Sequence, residues 1–356
     1  MYKILVLNPG STSTKIAVCE DNEIVYDETI RHSVEDLHRF NSIPEQKEYR
    51  YQVIEKLLND NGYKYDDFDA YACRGGIIKP MASGTYEVNE KMVNDLKTME
   101  SAAMHASCLA GLIGNDLEEK YHIPAYVVDP VVVDELQDIA RVSGVAEIER
   151  TSTWHALNQK AIARIAAKDL NKTYETANLI VAHMGGGVSV AAHHNGKTID
   201  CNNAILGEGP MSPERCGALP AMGVAQLIYD FNKNEQDIKD YCSKNGGMVS
   251  YLGINDMRDC EKLVKEGNKK AILFYQAMAY QIAKEIGAMA AVLKGKVDAI
   301  VLTGGIAYSD DFTKLITEYV NFIAPVKKYP GEDEVSALAQ GVLRVLNKEI
   351  EPKIYQ

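Results

Sequence analysis

The segment Asn8-Pro9-Gly10-Ser11-Thr12-Ser13-Thr14-Lys15 stands between two apolar runs, 4–7 and 16–18, and reads as a turn joining two strands. Small residues and hydroxyls in such a turn aim backbone N–H groups and side-chain donors at one point. That is a cradle for an anion, phosphate above all. Glycine and serine also fill ordinary hairpin loops for steric reasons, so one such turn decides nothing. Here the arrangement recurs. An apolar run ending at His183 turns through Met184-Gly185-Gly186-Gly187 and resumes at Val188. A third strand follows in each copy, after Asp21-Asn22 and after Asn195-Gly196. A second matched pair comes later, Arg74-Gly75-Gly76 after one strand and Thr303-Gly304-Gly305 after another. Four glycine turns in two matched pairs indicate a duplicated βββαβα unit with a cleft between its halves.

The strand ends of this reading carry Asn8, Arg74, Asp129, His183 and Thr303, where ligands sit in open α/β sheets. Arg74 precedes two glycines that allow close approach. Arg215 lies in 206–217, a stretch too rich in Gly and Pro for regular structure, hence a long loop or lid. A guanidinium fork matches both carboxylate and phosphoryl oxygens, so the two arginines together could bracket both groups, although either one alone reads first as a surface ion pair. His155 follows the only tryptophan, Trp154. Read alone it is a hydrogen-bonded core histidine, as is His105 on a long amphipathic helix. Asp129 with Glu332 or Glu334 suits Mg²⁺, which takes one or two carboxylates and keeps its waters. The run Glu332-Asp333-Glu334 equally suits the start of a helix.

Apolar spacing predicts helices over 50–61, 90–120, 154–170, 220–231, 235–244, 256–265, 269–294 and 335–346, and strands over 68–73, 125–128 and 297–302. The last helix is expected to pack back on the first half, with the domain boundary near the 150–178 region. The expected division is 1–150, 151–334 and 335–356. A chain of 356 residues, 46% hydrophobic, can build two cores. A net charge of −12 argues against nucleic acid and anionic membranes. It also requires local cations beside any phosphate site, a role open to Lys15, Arg74 and Arg215. Seven scattered cysteines without a CxxC pair, no signal-peptide pattern and no apolar run of spanning length predict a cytoplasmic protein with reduced thiols.

The ordered set NPGSTSTK, RGG, VVDP, WH, HMGGG, ERCG, TGGIAYS and PGEDE resembles the butyrate kinases, within the acetate kinase branch of the actin/Hsp70/sugar-kinase (ASKHA) superfamily. The resemblance covers essentially the whole chain. It implies an α/β fold of two ribonuclease H-like βββαβαβα domains, a nucleotide cleft between them, and a homo-oligomer of two or more copies. Asn8, Ser11, Ser13 and Lys15 would form the first phosphate loop, and His183, Gly185, Gly186 and Gly187 the second. Gly304 and Gly305 would hold the adenosine end of ATP. Arg74 and Arg215 would bind the carboxylate and the phosphoryl group in transfer, with His155 supporting an equatorial oxygen. Asp129 and one of Glu332 and Glu334 would hold Mg²⁺ through water. Gly76, Met104, His105 and Trp154 would shape the acyl pocket. Three departures from acetate kinases stand out. Gly186 replaces an asparagine and Trp154 a phenylalanine. Gly76 replaces a valine, which implies a pocket opened for a longer acid.

The residue types suit this chemistry independently. A carboxylate acceptor, with a pKa near ~4.3 as for Glu, is already ionised and needs no base. The difficulty is bringing one anion to another, which two arginines, a histidine and Mg²⁺ would offset. The expected reaction is ATP + butanoate = ADP + butanoyl phosphate by direct in-line transfer. The alternatives are a kinase for isobutyrate, propionate or related acids, and a non-catalytic ATP-binding relative. A dehydrogenase fits less well, because no GxGxxG follows a strand.

Overall fold

A computed structural model describes residues 1–98 and 105–356. The chain separates into two compact units, Met1–Val133 with Asp333–Gln356, and Asp134–Glu332.

In the first unit β1 (Lys3–Pro9), β2 (Ser13–Glu20) and β3 (Glu23–Arg31) form an antiparallel meander. β4 (Ala70–Cys73) lies parallel on the other side of β1, and β6 (Ala125–Val128) parallel to β4. The short β5 (Thr85–Glu87) closes the edge, giving the order β3-β2-β1-β4-β6-β5. β1, β4 and β6 are near-continuous apolar runs because both sheet faces are covered. One face packs on α1 (Lys47–Asp60), α2 (Glu90–Thr98) and α3 (Cys108–Tyr121), which bury Ile54, Leu58, Met92, Leu96 and Leu109. The helix Glu334–Leu346 buries Val335, Leu338 and Val342 on this unit, and Gly341 lets it approach Val128.

The second unit repeats the plan. β7 (Asn178–Met184), β8 (Val188–His194) and β9 (Lys197–Cys201) form the meander, and β10 (Ala299–Gly304) and β11 (Val326–Pro330) extend it in parallel, in the order β11-β10-β7-β8-β9. Even the irregularities correspond, with register shifts at Val18/Cys19 and at Ala192/His193. α4 (Ala156–Asp169) packs small residues, Ala163, Ala166 and Ala167, against Leu179, Val181 and Val301. The opposite face carries α5 (Met257–Lys265), α6 (Lys269–Val292) and α7 (Asp310–Val320), with Met278, Ile282, Ile286 and Phe312 buried. The covering helices are exchanged: the long helix after β6 lies on the second sheet, and the one after β11 lies on the first.

Three expectations change. The helix expected over 90–120 is α2 and α3, and His105 precedes α3 instead of lying on a helix; Met104 falls outside the described residues. Residues 134–150 join the second unit because Gln137 N–H donates to Ile199 O and Arg150 bridges Asp200 and Glu208. The first unit also claims Asp333 and Glu334, which begin its covering helix. Among the described residues no helix is long and apolar enough to cross a membrane.

Candidate active site

In the first unit the turn after β1 is closed by a Gly10 N–H bond to Ser13 O (2.8 Å). Asn8, at the end of β1, donates from Nδ2 to Glu334 Oε2 (2.8 Å), and Arg74 pairs with the other oxygen of the same carboxylate. Asn8 and Arg74 are therefore neighbours, although 66 residues apart, because β1 and β4 are adjacent parallel strands. Ser11 is exposed at the tip of the turn and Ser13 opens β2. Lys15 leaves the turn, pairing with Asp27 of β3 at 3.0 Å. Asp129 follows β6 with φ +37° and is buried, its Oδ1 accepting from Ser83 Oγ (2.6 Å) and Gly84 N–H (2.8 Å).

Gly76 overturns the expectation of a pocket opened by a missing side chain. A Cβ there would lie 2.2 Å from Cys108 Sγ and 2.9 Å from Cys108 Cα. The space a valine would take is filled by the first residue of α3, so the glycine serves close approach of that helix to the segment after β4. His105 Nδ1 accepts from Ser107 N–H (3.2 Å) and pairs with Ser107 Oγ (3.0 Å). Desolvation, then the Arg74 and Arg50 charges, hold its ring below the usual histidine range.

In the second unit the glycine turn is built around two stacked imidazoles. His155 and His183 lie 4.0 Å apart between centroids, with their planes 16° apart. His183 Nδ1 pairs with Asn158 Oδ1 (2.9 Å) and its Nε2 with Glu332 Oε1 (3.1 Å). Ser189 Oγ accepts from Gln159 Nε2 (2.7 Å) and pairs with His155 Nδ1 (2.8 Å). Gln159 in turn pairs through Oε1 with His193 Nε2 (3.1 Å). Trp154 is buried edge-on against His193. α4 places His155, Asn158 and Gln159 on one turn, and β7 and β8 present His183 and Ser189 as a cross-strand pair.

Each glycine of the turn admits a different neighbour. A Cβ on Gly185 would come 3.1 Å from Glu332 Oε1, and one on Gly186 3.0 Å from Glu214 Oε2. On Gly187 it would come 2.2 Å from Arg215 Nη1, so the guanidinium lies against bare backbone. Arg215 Nη1 donates to Ala204 O (2.8 Å), while its buried Nε has no hydrogen-bond partner among the described residues. Burial lowers its pKa and Glu214 opposes the shift. The 206–217 stretch is irregular as expected but tied down, with Ser212 Oγ donating to Gly186 O (2.7 Å) and Arg215 N–H donating to Ser212 Oγ (3.1 Å). Gly304 has φ +89°, and a Cβ on it would meet Met184 O at 2.4 Å. Gly304 and Gly331 exchange both backbone hydrogen bonds, tying the ends of β10 and β11 beside the turn.

A cavity of about 800 Å³ opens beside the turn, lined on one side by Gly185, Gly186 and Glu332. Gly305 and Tyr308 form another wall, and 255–258 close it with Asn255 and Met257. This size and mixed lining suit a cofactor-sized ligand. The sequence reading reached Gly185, Gly186, Gly305 and Glu332 but missed Asn255 through Arg258. The one available signal was Asp256, which caps α5 by accepting from Arg258 N–H. Among the described residues no three His, Cys, Asp or Glu side chains gather as a metal site. Mg²⁺ requires no such cluster.

Two meander-and-crossover units with glycine turns at their strand ends define the ASKHA class of phosphotransferases. The Acetokinase family profile matches residues 146–323. Butyrate kinase 2 of Clostridium acetobutylicum is 51% identical over 355 residues, covering 100% of this chain and 99% of that protein. Butyrate kinase 1 of the same organism is 47% identical over 356 residues, covering 100% of both. The crystal structure of Porphyromonas gingivalis acetate kinase superposes with a TM-score of 0.82 at 20% identity, over 97% of this chain and 100% of that one. The chain belongs to the acetokinase family.

Proposed function

We propose that this protein transfers the γ-phosphoryl group of ATP to butyrate. A carboxylate oxygen attacks the γ-phosphorus, the bond to the β,γ-bridging oxygen breaks, and ADP leaves as butyryl phosphate forms. No proton is removed from the acceptor, which is already an anion. The observation that carries this reading is Arg215, whose buried Nε–H has no hydrogen-bond partner among the described residues and whose guanidinium lies against the one residue type that admits it. Burying a donor without an acceptor is costly, and an oxyanion satisfies it.

Each residue then takes a part. Gly185, Gly186 and Gly187 bring backbone to the phosphates of a nucleotide lying in the 800 Å³ cavity, with Gly304 and Gly305 toward its adenosine. His155 supports an equatorial oxygen while its ring is positioned by Ser189, itself bonded to Gln159. Arg74 takes the acid's carboxylate, a role that Glu334 fills in this structure. Asn8, Ser11 and Ser13 serve the phosphoryl group from the first unit. Glu332, which pairs with His183, fits Mg²⁺ better than Glu334 because it lines the cavity. Asp129 is the other carboxylate at a strand end. When bound, Mg²⁺ would neutralise triphosphate charge.

The test is a panel of acetate, propionate, butyrate, isobutyrate and valerate, with the acyl phosphate trapped as its hydroxamate and ADP release followed in parallel. Butyrate should give the highest kcat/KM. Two extra buried methylenes are worth about 1.6 kcal/mol, so its margin over acetate should be about tenfold. Arg74→Ala and Arg215→Ala should each lower turnover at least about a hundredfold in folded protein. ADP release without any acid dependence would overturn the reading, and a maximum at isobutyrate or propionate would reassign the acceptor.

A further inference from the structure

Arg50 has no solvent exposure. It enters from α1 on the same stripe as Ile54 and Leu58, four and eight residues on, and ends beneath the turn that follows β1. Nη1 donates to Gly10 O (2.8 Å), Ser13 O (2.9 Å) and Thr14 Oγ1 (3.0 Å). Nη2 donates to Ser11 O (3.0 Å) and Gln46 Oε1 (2.9 Å), and Nε to the same Gln46 oxygen (3.2 Å). Every acceptor is neutral, and among the described residues no carboxylate pairs with the guanidinium.

That is an unusual choice in a chain with 50 acidic side chains against 38 lysines and arginines. A buried cation without a counter-charge is costly, and six hydrogen bonds satisfy its geometry without neutralising it. Burial brings its pKa down to about 10, so it stays cationic at neutral pH. Its field reaches the residues around the turn, since Arg50 helps depress both His32 and His105. The bonding also orients the turn. The carbonyls of Gly10, Ser11 and Ser13 face Arg50, while Ser11 and Thr12 stand exposed at the tip. Acceptors are drawn inward, and Ser11 and Thr12 at the tip are left facing outward for a ligand.

We infer that Arg50 is a positioning residue of the phosphoryl transfer: a buried positive charge beneath the first turn, whose counter-ion is the phosphoryl group that the turn receives. This rests on reading the 8–15 turn as a phosphate loop. A guanidinium held only for its shape would make a different prediction from one held for its charge. Lysine keeps the charge but cannot span four oxygens of the turn, whereas glutamine loses the charge.

The experiment compares wild type, Arg50→Lys and Arg50→Gln by kcat and KM for ATP in the coupled ADP assay. The dissociation constant for ATP is measured by calorimetry, and folding is checked by thermal melting. Charge predicts that R50Q loses about tenfold or more in ATP affinity and in kcat/KM, while R50K stays within about threefold of wild type. R50K as impaired as R50Q, or R50Q equal to wild type in either readout, overturns the inference. Should R50Q fail to fold, a folded R50K weakened more than about tenfold overturns it alone. A wild-type protein that binds ATP but shows no acid-dependent turnover refutes the carboxylate kinase reading instead, and the ATP affinities still rank the three proteins.

Discussion

Gly187→Ala is a small change at a position where the structure leaves no room. The added methyl would lie 2.2 Å from Arg215 Nη1 and 2.5 Å from its Cζ. Ordinary contact begins near 3.4 Å, so the guanidinium must retreat by about 1 Å and give up its Nη1 bond to Ala204 O. Gly187 is not among the glycines with positive φ, so the backbone accepts alanine without strain. A 1 Å misplacement of a positioning group costs about a hundredfold in rate, or about 2.7 kcal/mol of transition-state stabilisation. The loss should fall on kcat with butyrate saturating, measured as hydroxamate formed per minute, with the melting temperature close to wild type. Gly186→Ala supplies the comparison. Its methyl meets only Glu214 Oε2 at 3.0 Å, the far end of a flexible side chain that can swing aside, so less than about a tenfold loss is expected. If G187A turns over within about threefold of wild type, Arg215 is not held for transfer by the bare backbone of Gly187.

Cys108→Ala should empty the space that a Cβ on Gly76 would contest and cost about 1 kcal/mol of stability, read as a lower urea midpoint; an unchanged midpoint removes Cys108 as the packing partner of Gly76. The Cys242 thiol lies 3.9 Å from Cys216 Sγ, and that hydrogen bond lowers its pKa to about 7. Its alkylation by iodoacetamide should therefore rise as pH passes through about 7, because only the thiolate reacts. Burial raises the Cys73 and Cys201 thiols, which should stay unlabelled in folded protein, as peptide mapping will show. His32, bonded to Thr14 Oγ1 beneath the same turn, is lowered to about 4 from 6.5, first by burial and then by Arg50. Its unfolded form binds the proton more readily, so the neutral ring's contribution is present above pH 6.5 and is lost as pH falls toward 4. The urea midpoint should drop over that window, and His32→Asn should flatten the drop.

The duplicated plan was legible because each meander alternates apolar strands with turns of one chemistry. The strand ends could thus be found by inspection, and Arg74 and His183 stand at such ends. The acidic run 332–334 shows the limit. Its three carboxylates serve three purposes: Glu332 on His183, Asp333 capping a helix through Ser336 N–H, and Glu334 on Arg74. Spacing cannot assign them, because the divisions among them are set by distant partners. Gly76 misled for a related reason. A missing side chain signals room, but Cys108 occupies it from a helix 32 residues further on. The 255–258 wall of the cavity reads in sequence only as a helix start capped by Asp256, with nothing in its spacing to tie it to the glycine turn. Arg50 was visible and passed over, an arginine on the Ile54–Leu58 stripe where apolar periodicity calls for a leucine.

The exchange of covering helices bears on how the protein is made. The first sheet leaves the ribosome before the second, yet one of its faces stays bare until Glu334–Leu346 has been synthesised. Between them lie the roughly 200 residues of the second unit, about 10–40 s of translation at 5–20 residues per second. The usual order of birth is thus inverted: the half begun later can finish first, while the earlier one waits as an unfinished, chaperone-accessible nascent domain.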